Sequence, residues 1–390
     1  MQQMLSRRAW LAGAVMLAAT AVLVAATVGM SAPRKAPPPS PLKSVLTQLK
    51  GLTAAAREAK LYSLAKAEGT VVWYTSLDTL LAKQIQAAFE AKYPGVSVNL
   101  VRAPSETLDA RVLSEAAAGA PGADVIETNG PDMFIFQHKA NILVPYRASP
   151  YAAAVPSRVR YDTFTGDRYN NYVVAWNTNL VSSGQEPKSW EELATAKWAG
   201  KISIEANDID WYATLYQYLE QQRLAKLKPQ PKTKKAIETA RAKVDRDLDK
   251  LFATMVKNAQ IVSGHTTQAN LLAAGQFAIS VTTYAHYAEA LQQKHAPVSF
   301  KPFLQPVLRR EQGIGIAYRL QHPAAALLFY DWDLMKSGGQ KALLDAGSAP
   351  TRPDMPDAQL QGARIVPVDL RTIVSHWGAW SKRWQSLIQH

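Results

Sequence analysis

Between residues 43 and 68 apolar side chains recur at three- and four-residue spacing, with Leu46, Leu49 and Leu52 followed by Leu61, Leu64 and Ala65. That period places them on the apolar faces of a helix, and Gly69 stands where a left-handed residue would end it. Residues 70–74 then read TVVWY, a short apolar run suited to a strand covered on both faces. The two patterns alternate down the chain. Residues 77–93 predict a helix closed by Pro94-Gly95, VSVNLVR (96–102) a strand, 107–118 a helix, and ADVIET (123–128) another buried strand. Strand, helix, strand, helix, strand is the order of a doubly wound α/β unit.

A second series follows. YVVAW (172–176) predicts a strand, and Ser189-Trp190-Glu191-Glu192 has the spacing of a capping box that opens a helix. KISIE (201–205) is a strand, and Asp208 or Asp210 can cap the helix that runs on through Leu219. The apolar residues 278–281 lead into TTYAHY (282–287), and the chain closes with a strand over 313–318 and a helix over 323–336. No repeat of 20 to 50 residues is evident. A chain of 390 residues, 47% hydrophobic and 19% charged, is longer than one core usually fills, which predicts two domains.

Composition narrows the chemistry. The absence of cysteine removes disulfides, thiolate metal sites and a thiol nucleophile, leaving oxygen and imidazole. Neither GxSxG, GxxxxGK nor HExxH occurs, so the common hydrolase, phosphate-loop and zinc-enzyme signatures are missing. At the N-terminus SRRAWL (6–11) resembles a twin-arginine export signal with Trp10 in the usual Phe position. The uncharged run 9–32 is long enough to cross a bilayer. Met30-Ser31-Ala32, followed by Pro33, fits a signal peptidase poorly. The segment is either removed or kept as an inner-membrane anchor with PRKAPPPSP (33–41) as a spacer. Periplasmic location is the expectation, and it argues against nucleic acid as the partner of a chain with net charge +13. Much of the excess lies in 221–257, read as a solvated helix pair, the alternative being contact with anionic lipid or a partner protein.

Eight segments together resemble the extracellular solute-binding proteins of ABC importers, the family that includes ferric-iron receptors and relatives for small organic solutes. They are AKAEGTVVWYTSL, FEAKYPGVSVNLVRA, ADVIETNGPD, VVAWNTNLV, SWEELATAKWAGKISI, HTTQANLLAAGQFAISV, HPAAALLFYDWDLMKSGGQKALL and SAPTRPD, spread over 61–354 in the family's order. The resemblance implies an α/β, two-lobed periplasmic binding fold, each lobe a doubly wound sheet, with hinge strands between. It also implies a monomer that closes on a solute without catalysis and delivers it to an ABC permease in the inner membrane. A membrane-tethered sensor presenting its ligand to a signalling partner is the alternative. The divisions are then 1–41 export segment and spacer, 42–145 first part of the N-terminal lobe, 146–310 mainly the second lobe with a basic helical insertion at 221–257, and 311–390 a returning segment with C-terminal helices.

The solute is expected at the carboxyl ends of the strands. Polar residues stand there: Thr75 and Ser76, Ser105 and Glu106, Asn129 and Gly130 on one lobe, and Asp208, Trp211, Thr283, Tyr284 and His286 on the other. Each has a plainer role available. Thr75, Ser76, Ser105 and Glu106 can start helices, Asn129-Gly130-Pro131 can be a turn, Trp211 can be core, and His265 reads as a structural histidine. Iron-binding relatives carry two adjacent tyrosines where this chain has Tyr284 and Ala285. A ferric site here would need Tyr284, Tyr287, Glu106 and a bound anion. The competing reading packs Tyr284 and Trp211 on an organic body while Thr75, Ser76 and backbone N–H groups hold its carboxylate or phosphonate. Ordinary packing of TTYAHY is the third.

Overall fold

The computed structural model describes residues 40–356 and 359–389. The export signal, the apolar run 9–32 and all but the last two residues of the spacer lie outside them. Eleven strands form one mixed sheet: β1 Thr70–Thr75, β2 Ser97–Arg102, β3 Val125–Asn129, β4 Phe164–Asn177, β5 Ile202–Glu205, β6 Ala259–Val262, β7 Ile279–Tyr284, β8 Val298–Ser299, β9 Val307–Ile316, β10 Ala349–Pro350 and β11 Ile365–Pro367. The main path runs β2-β1-β3-β9-β4-β7-β5-β6.

Pairing along that path shows how two lobes share one sheet. β1 is parallel to β2 and β3, and β5 is parallel to β6 and β7. Each parallel block needs helical crossovers, supplied in the first by Thr79–Lys92 and Ser105–Ala118. Between the blocks lie two long antiparallel strands. β4 pairs with β9 from Phe164 to Tyr172 and with β7 from Tyr172 to Trp176, while the far end of β9 pairs with β3. The fold is the curled, two-lobed α/β fold of periplasmic binding proteins.

Two cores flank this crossing. Trp73, Phe89, Phe329 and Trp332 anchor one, with ring centroids 4.9–5.7 Å apart. Trp190, Trp211, Tyr212, Phe252 and Trp384 anchor the other. Burial of each such ring contributes about 3 kcal/mol before entropy is counted. The basic helix Lys234–Lys257 belongs to the second core through Val244, Leu248, Phe252 and Met255, and its charges stay on the outer face.

Local chemistry sets the element ends, sometimes away from the predicted place. The single helix expected over 43–68 is two, Ser40–Gln48 and Ala54–Glu68, because Gly51 turns at φ 79° and Thr53 caps the second. Gly69 ends that second helix at φ 78°, donating its N–H to the Ala65 carbonyl. Asp78, and neither Thr75 nor Ser76, caps Thr79–Lys92 by accepting from the Leu80 N–H. Ser189 caps as expected, but the Glu192 carboxylate accepts from the Lys188 N–H, so the return bond of the capping box is displaced by one residue. Asp208 sits at the cap position of Ile209–Ala225 without making a capping bond.

Candidate functional site

β4 and β9 supply the floor of a cavity of about 210 Å³. Their register sets Arg168 opposite Gln312 and Asn170 opposite Arg310. Residues two apart on a strand share a face, so these four side chains line the cavity together. Arg168 donates through Nε to Glu127 at 2.8 Å and through Nη1 to the Asn170 side chain at 2.9 Å. Arg310 grips both Asp210 oxygens at 3.1 and 3.2 Å and donates through Nη2 to the Tyr284 hydroxyl oxygen. Burial by itself works against both guanidinium charges, but the adjoining carboxylates outweigh it and raise both pKa values further. The Nε of Arg310 is buried and makes no hydrogen bond.

The first-lobe wall comes from the ends of β1, β2 and β3. Ser76, Asp78, Arg102, Ser105, Glu106 and Asn129 line it. Arg102 is tethered by an Nε bond to the Leu77 carbonyl at 2.9 Å. Asn129 caps the helix Gly130–Gln137 by accepting from the Asp132 N–H at 3.0 Å. The second-lobe wall follows β5 and β7: Glu205, Asn207 and Asp208, then 264–267, then Tyr284, His286 and Tyr287. Four helices begin at the cavity without a capping side-chain bond: Ser105–Ala118, Ile209–Ala225, His265–Ala273 and Ala285–Gln293. Their first-turn N–H groups are the unsatisfied donors that a helix N-terminus leaves.

TTYAHY divides between strand and helix. Thr282 and Thr283 are buried in β7, where the Thr282 hydroxyl accepts from the Glu205 N–H at 3.1 Å and Thr283 bonds Ser280. Tyr284 ends the strand and Ala285 starts the helix. Tyr284 lies 3.8 Å from His265 and 5.6 Å from His286, whose ring is 4.3 Å from Tyr287, all centroid to centroid. The result is an aromatic wall. Burial pushes the Tyr284 hydroxyl well above its ordinary pKa although the Arg310 charge pulls the other way. Burial, then the charges of Arg168 and His265, push His286 down to about 3, so this imidazole is neutral.

His265 differs. Burial lowers its pKa, but the Asp208 charge and hydrogen bond, with help from Glu205, overcome that and raise it. Its Nδ1 faces the Thr282 carbonyl at 3.1 Å and its Nε2 faces Asp208 Oδ1 at 3.2 Å.

Of the residues expected at the cleft, Ser76, Ser105, Glu106, Asn129, Asp208, Tyr284, His286 and Tyr287 line this cavity. Four do not. Thr75 is fully buried, bonding Glu127 at 2.8 Å and the Leu77 N–H at 2.9 Å. Gly130 packs under Leu370 and the Glu311 carbonyl. Thr283 points into the sheet's own network. Trp211 is fully buried against Trp190, Phe252 and Trp384, so it is core and stacks on no solute. The floor residues Arg168, Asn170, Arg310 and Gln312 were not anticipated. Nor was the part played by Glu205 and His265, although Glu205 at the end of KISIE follows the same strand-end rule as the others.

A two-lobed α/β fold with a cavity at the strand crossing is the architecture on which periplasmic solute-binding proteins are built. A family model described as bacterial extracellular solute-binding protein matches residues 84–365, well over half of the sequence, and the chain belongs to that family. Among solved structures it is similar to the periplasmic binding protein P5PA, with 17% identity and a TM-score of 0.65 over 82% of this chain and 99% of that one. It is also similar to AfuA from Actinobacillus pleuropneumoniae with exogenous fructose-6-phosphate bound (18%, TM-score 0.65, 83% and 99%). Iron-bound HitA from Pseudomonas aeruginosa is a third (16%, TM-score 0.62, 82% and 99%). At these identities the likeness is one of fold. No curated protein sequence matches this chain.

Proposed function

We propose that this protein is a monomeric periplasmic receptor that captures a small organic anion in the interlobe cavity and delivers it to an ABC permease, without catalysis. The observation that carries this reading is the set of uncapped helix N-termini at one cavity, of which those beginning at Ser105, His265 and Ala285 have no acidic cap residue, unlike the one beginning at Ile209 behind Asp208. Each favours an anion by about 0.3–1 kcal/mol, and Arg102 adds a cation on the first-lobe wall. The rings of His265, Tyr284 and Tyr287 offer a flat apolar surface to the rest of the solute. The phosphorylated sugar bound by one structural neighbour is a solute of this chemical kind.

Ferric iron on Tyr284, Tyr287 and Glu106 is the second reading, motivated by iron-bound neighbours. It is less favoured because iron needs the Tyr284 oxygen as a phenolate ligand, whereas burial opposes that ionisation and the oxygen already accepts from Arg310. Export through the twin-arginine-like signal fits either cargo.

A thermal-shift screen of sugar phosphates, phosphonates and carboxylates tests the proposal, run beside a visible spectrum of the iron-loaded protein and its Tyr284→Phe variant. A matching anion at 100 times its Kd stabilises by about 2.7 kcal/mol, and iron loading leaves the protein colourless. A charge-transfer band that Tyr284→Phe abolishes, with no anion raising the melting temperature, would replace the proposal with the ferric reading.

A further inference from the structure

We infer that Glu205, Asp208 and His265 form a divalent-cation site on the second-lobe wall, separate from the tyrosines and open toward the cavity. The inference rests on the reading of this cavity as the solute site. One ligand atom from each residue lies within 4.8 Å of the other two. His265 Nε2 and Asp208 Oδ1 are 3.2 Å apart. For metal–ligand bonds of about 2.1 Å, ligand atoms lie about 3.4 Å apart in a tetrahedron and about 3.0 Å apart in an octahedron, and 3.2 Å falls between.

Two further observations point to a ligand. Asp208 is 1% exposed and lines the cavity, yet its second oxygen, Oδ2, has no hydrogen-bond partner. A buried carboxylate oxygen left without a partner is costly, and a cation at the cavity wall relieves it. Each candidate ligand is also held from behind. His265 Nδ1 is fixed on the Thr282 carbonyl at 3.1 Å, which turns Nε2 toward Asp208. The Glu205 oxygens accept from the N–H groups of Asn207 at 2.6 Å and Gly264 at 3.0 Å, and Asp208 Oδ1 accepts from the Tyr172 hydroxyl at 3.2 Å. Such outer-shell bonds are how metal ligands are oriented.

The donor set selects the ion. Binding requires the ion to displace the proton that His265 Nε2 holds against Asp208; the resulting set of two carboxylates and an imidazole balances a divalent charge, and nitrogen with oxygen ligands suits zinc, cobalt, nickel or manganese. Arg310, the nearest fixed cation, is already committed to Asp210 and Tyr284. Three protein ligands leave coordination positions facing the cavity, where the anionic group of the solute can bind the ion directly. The solute class is therefore an anion taken up together with its divalent metal.

The test uses the full chain, treated with chelator, dialysed and titrated with cobalt(II), with zinc as competitor. The expected result is one cobalt ion per chain with a visible spectrum unlike the aquo ion. Affinity should fall roughly 100-fold or more in His265→Gln and Asp208→Asn, and stay within a few-fold of the original in His376→Gln, whose exposed imidazole lies outside the cavity. Absence of stoichiometric cobalt from the unaltered chain overturns the inference, as does binding that survives His265→Gln. An anion that stabilises the chelator-treated protein with no gain from added metal leaves the receptor reading standing and removes this one. Cobalt binding with no anion response does the reverse.

Discussion

Arg310→Met probes the floor of the cavity and carries a magnitude that follows from its contacts. Asp210 is 1% exposed, and its carboxylate is held by two Arg310 bonds at 3.1 and 3.2 Å, with the Tyr172 hydroxyl, whose one proton Asp208 shares, 3.4 Å away. Burial already raises the Asp210 pKa, with Arg310 the main opposing influence and Asp208 adding like charge. A methionine matches the length of the arginine stem but strands the carboxylate. Breaking a buried pair from one side costs about 3–5 kcal/mol. With a urea m-value of about 3 kcal/mol/M, that lowers the unfolding midpoint by roughly 1 to 1.7 M, readable by far-ultraviolet circular dichroism. The control is the double variant with Asp210→Asn. It removes the stranded charge while keeping a group able to bond Tyr172, and it should recover more than half of the loss. A single variant within 1 kcal/mol of the original protein, or a double variant no better than the single, would falsify the claim that the floor is a charge-compensated network.

Two other sites give sharp expectations. Burial and the adjacent Asp132 raise the Asp109 carboxyl to about 10, so the folded state holds a proton that the unfolded chain releases above about pH 4. This contribution to stability is full below pH 4 and is lost as pH rises toward 10. Asp109→Asn should therefore stabilise at pH 7 by on the order of 2 kcal/mol, with the gain vanishing near pH 4; an equal effect at both values refutes the assignment. At Gly130, an added Cβ would lie 2.4 Å from a Leu370 methyl and 2.7 Å from the Glu311 carbonyl oxygen. Gly130→Ala should cost about 1–3 kcal/mol in thermal unfolding, and a melting temperature within a degree of the original would show that the helix Leu370–Ser375 yields freely.

The parts of the fold that were legible in the sequence are those where hydropathy and burial agree. β1 lies at the centre of a parallel block and β3 between it and β9, both covered on two faces, and TVVWY and ADVIET say so. β4 and β9 are equally buried but were read only from Tyr172 and Gly313 onward. Their hidden halves, TGDRYNN and LRREQ, are polar, and the two floor arginines within them meet partners inside the protein: Arg168 with Glu127, Arg310 with Asp210. A single sequence carries no sign that two polar segments lie side by side, so they resemble loops. That explains why the strand-end residues Ser76, Ser105, Asn129, Asp208 and Tyr284 were found while the cavity floor was missed. Trp211 failed for the opposite reason. Strand-end position brought it close to the cleft, but the Ile209–Ala225 helix turns it inward, to the face where Phe252 and Trp384 wait.

Asp208 and Asp210 show how far two residues of spacing can separate roles. Asp208, at the cap position before the helix, reaches His265 on the cavity wall; Asp210, in the first turn, reaches Arg310 on β9. One carboxylate is bound into the strands that join the lobes, and the other lines the cavity with one buried oxygen unpartnered. The cavity wall and the salt bridge that ties Ile209–Ala225 to β9 are thus set two residues apart at the start of one helix.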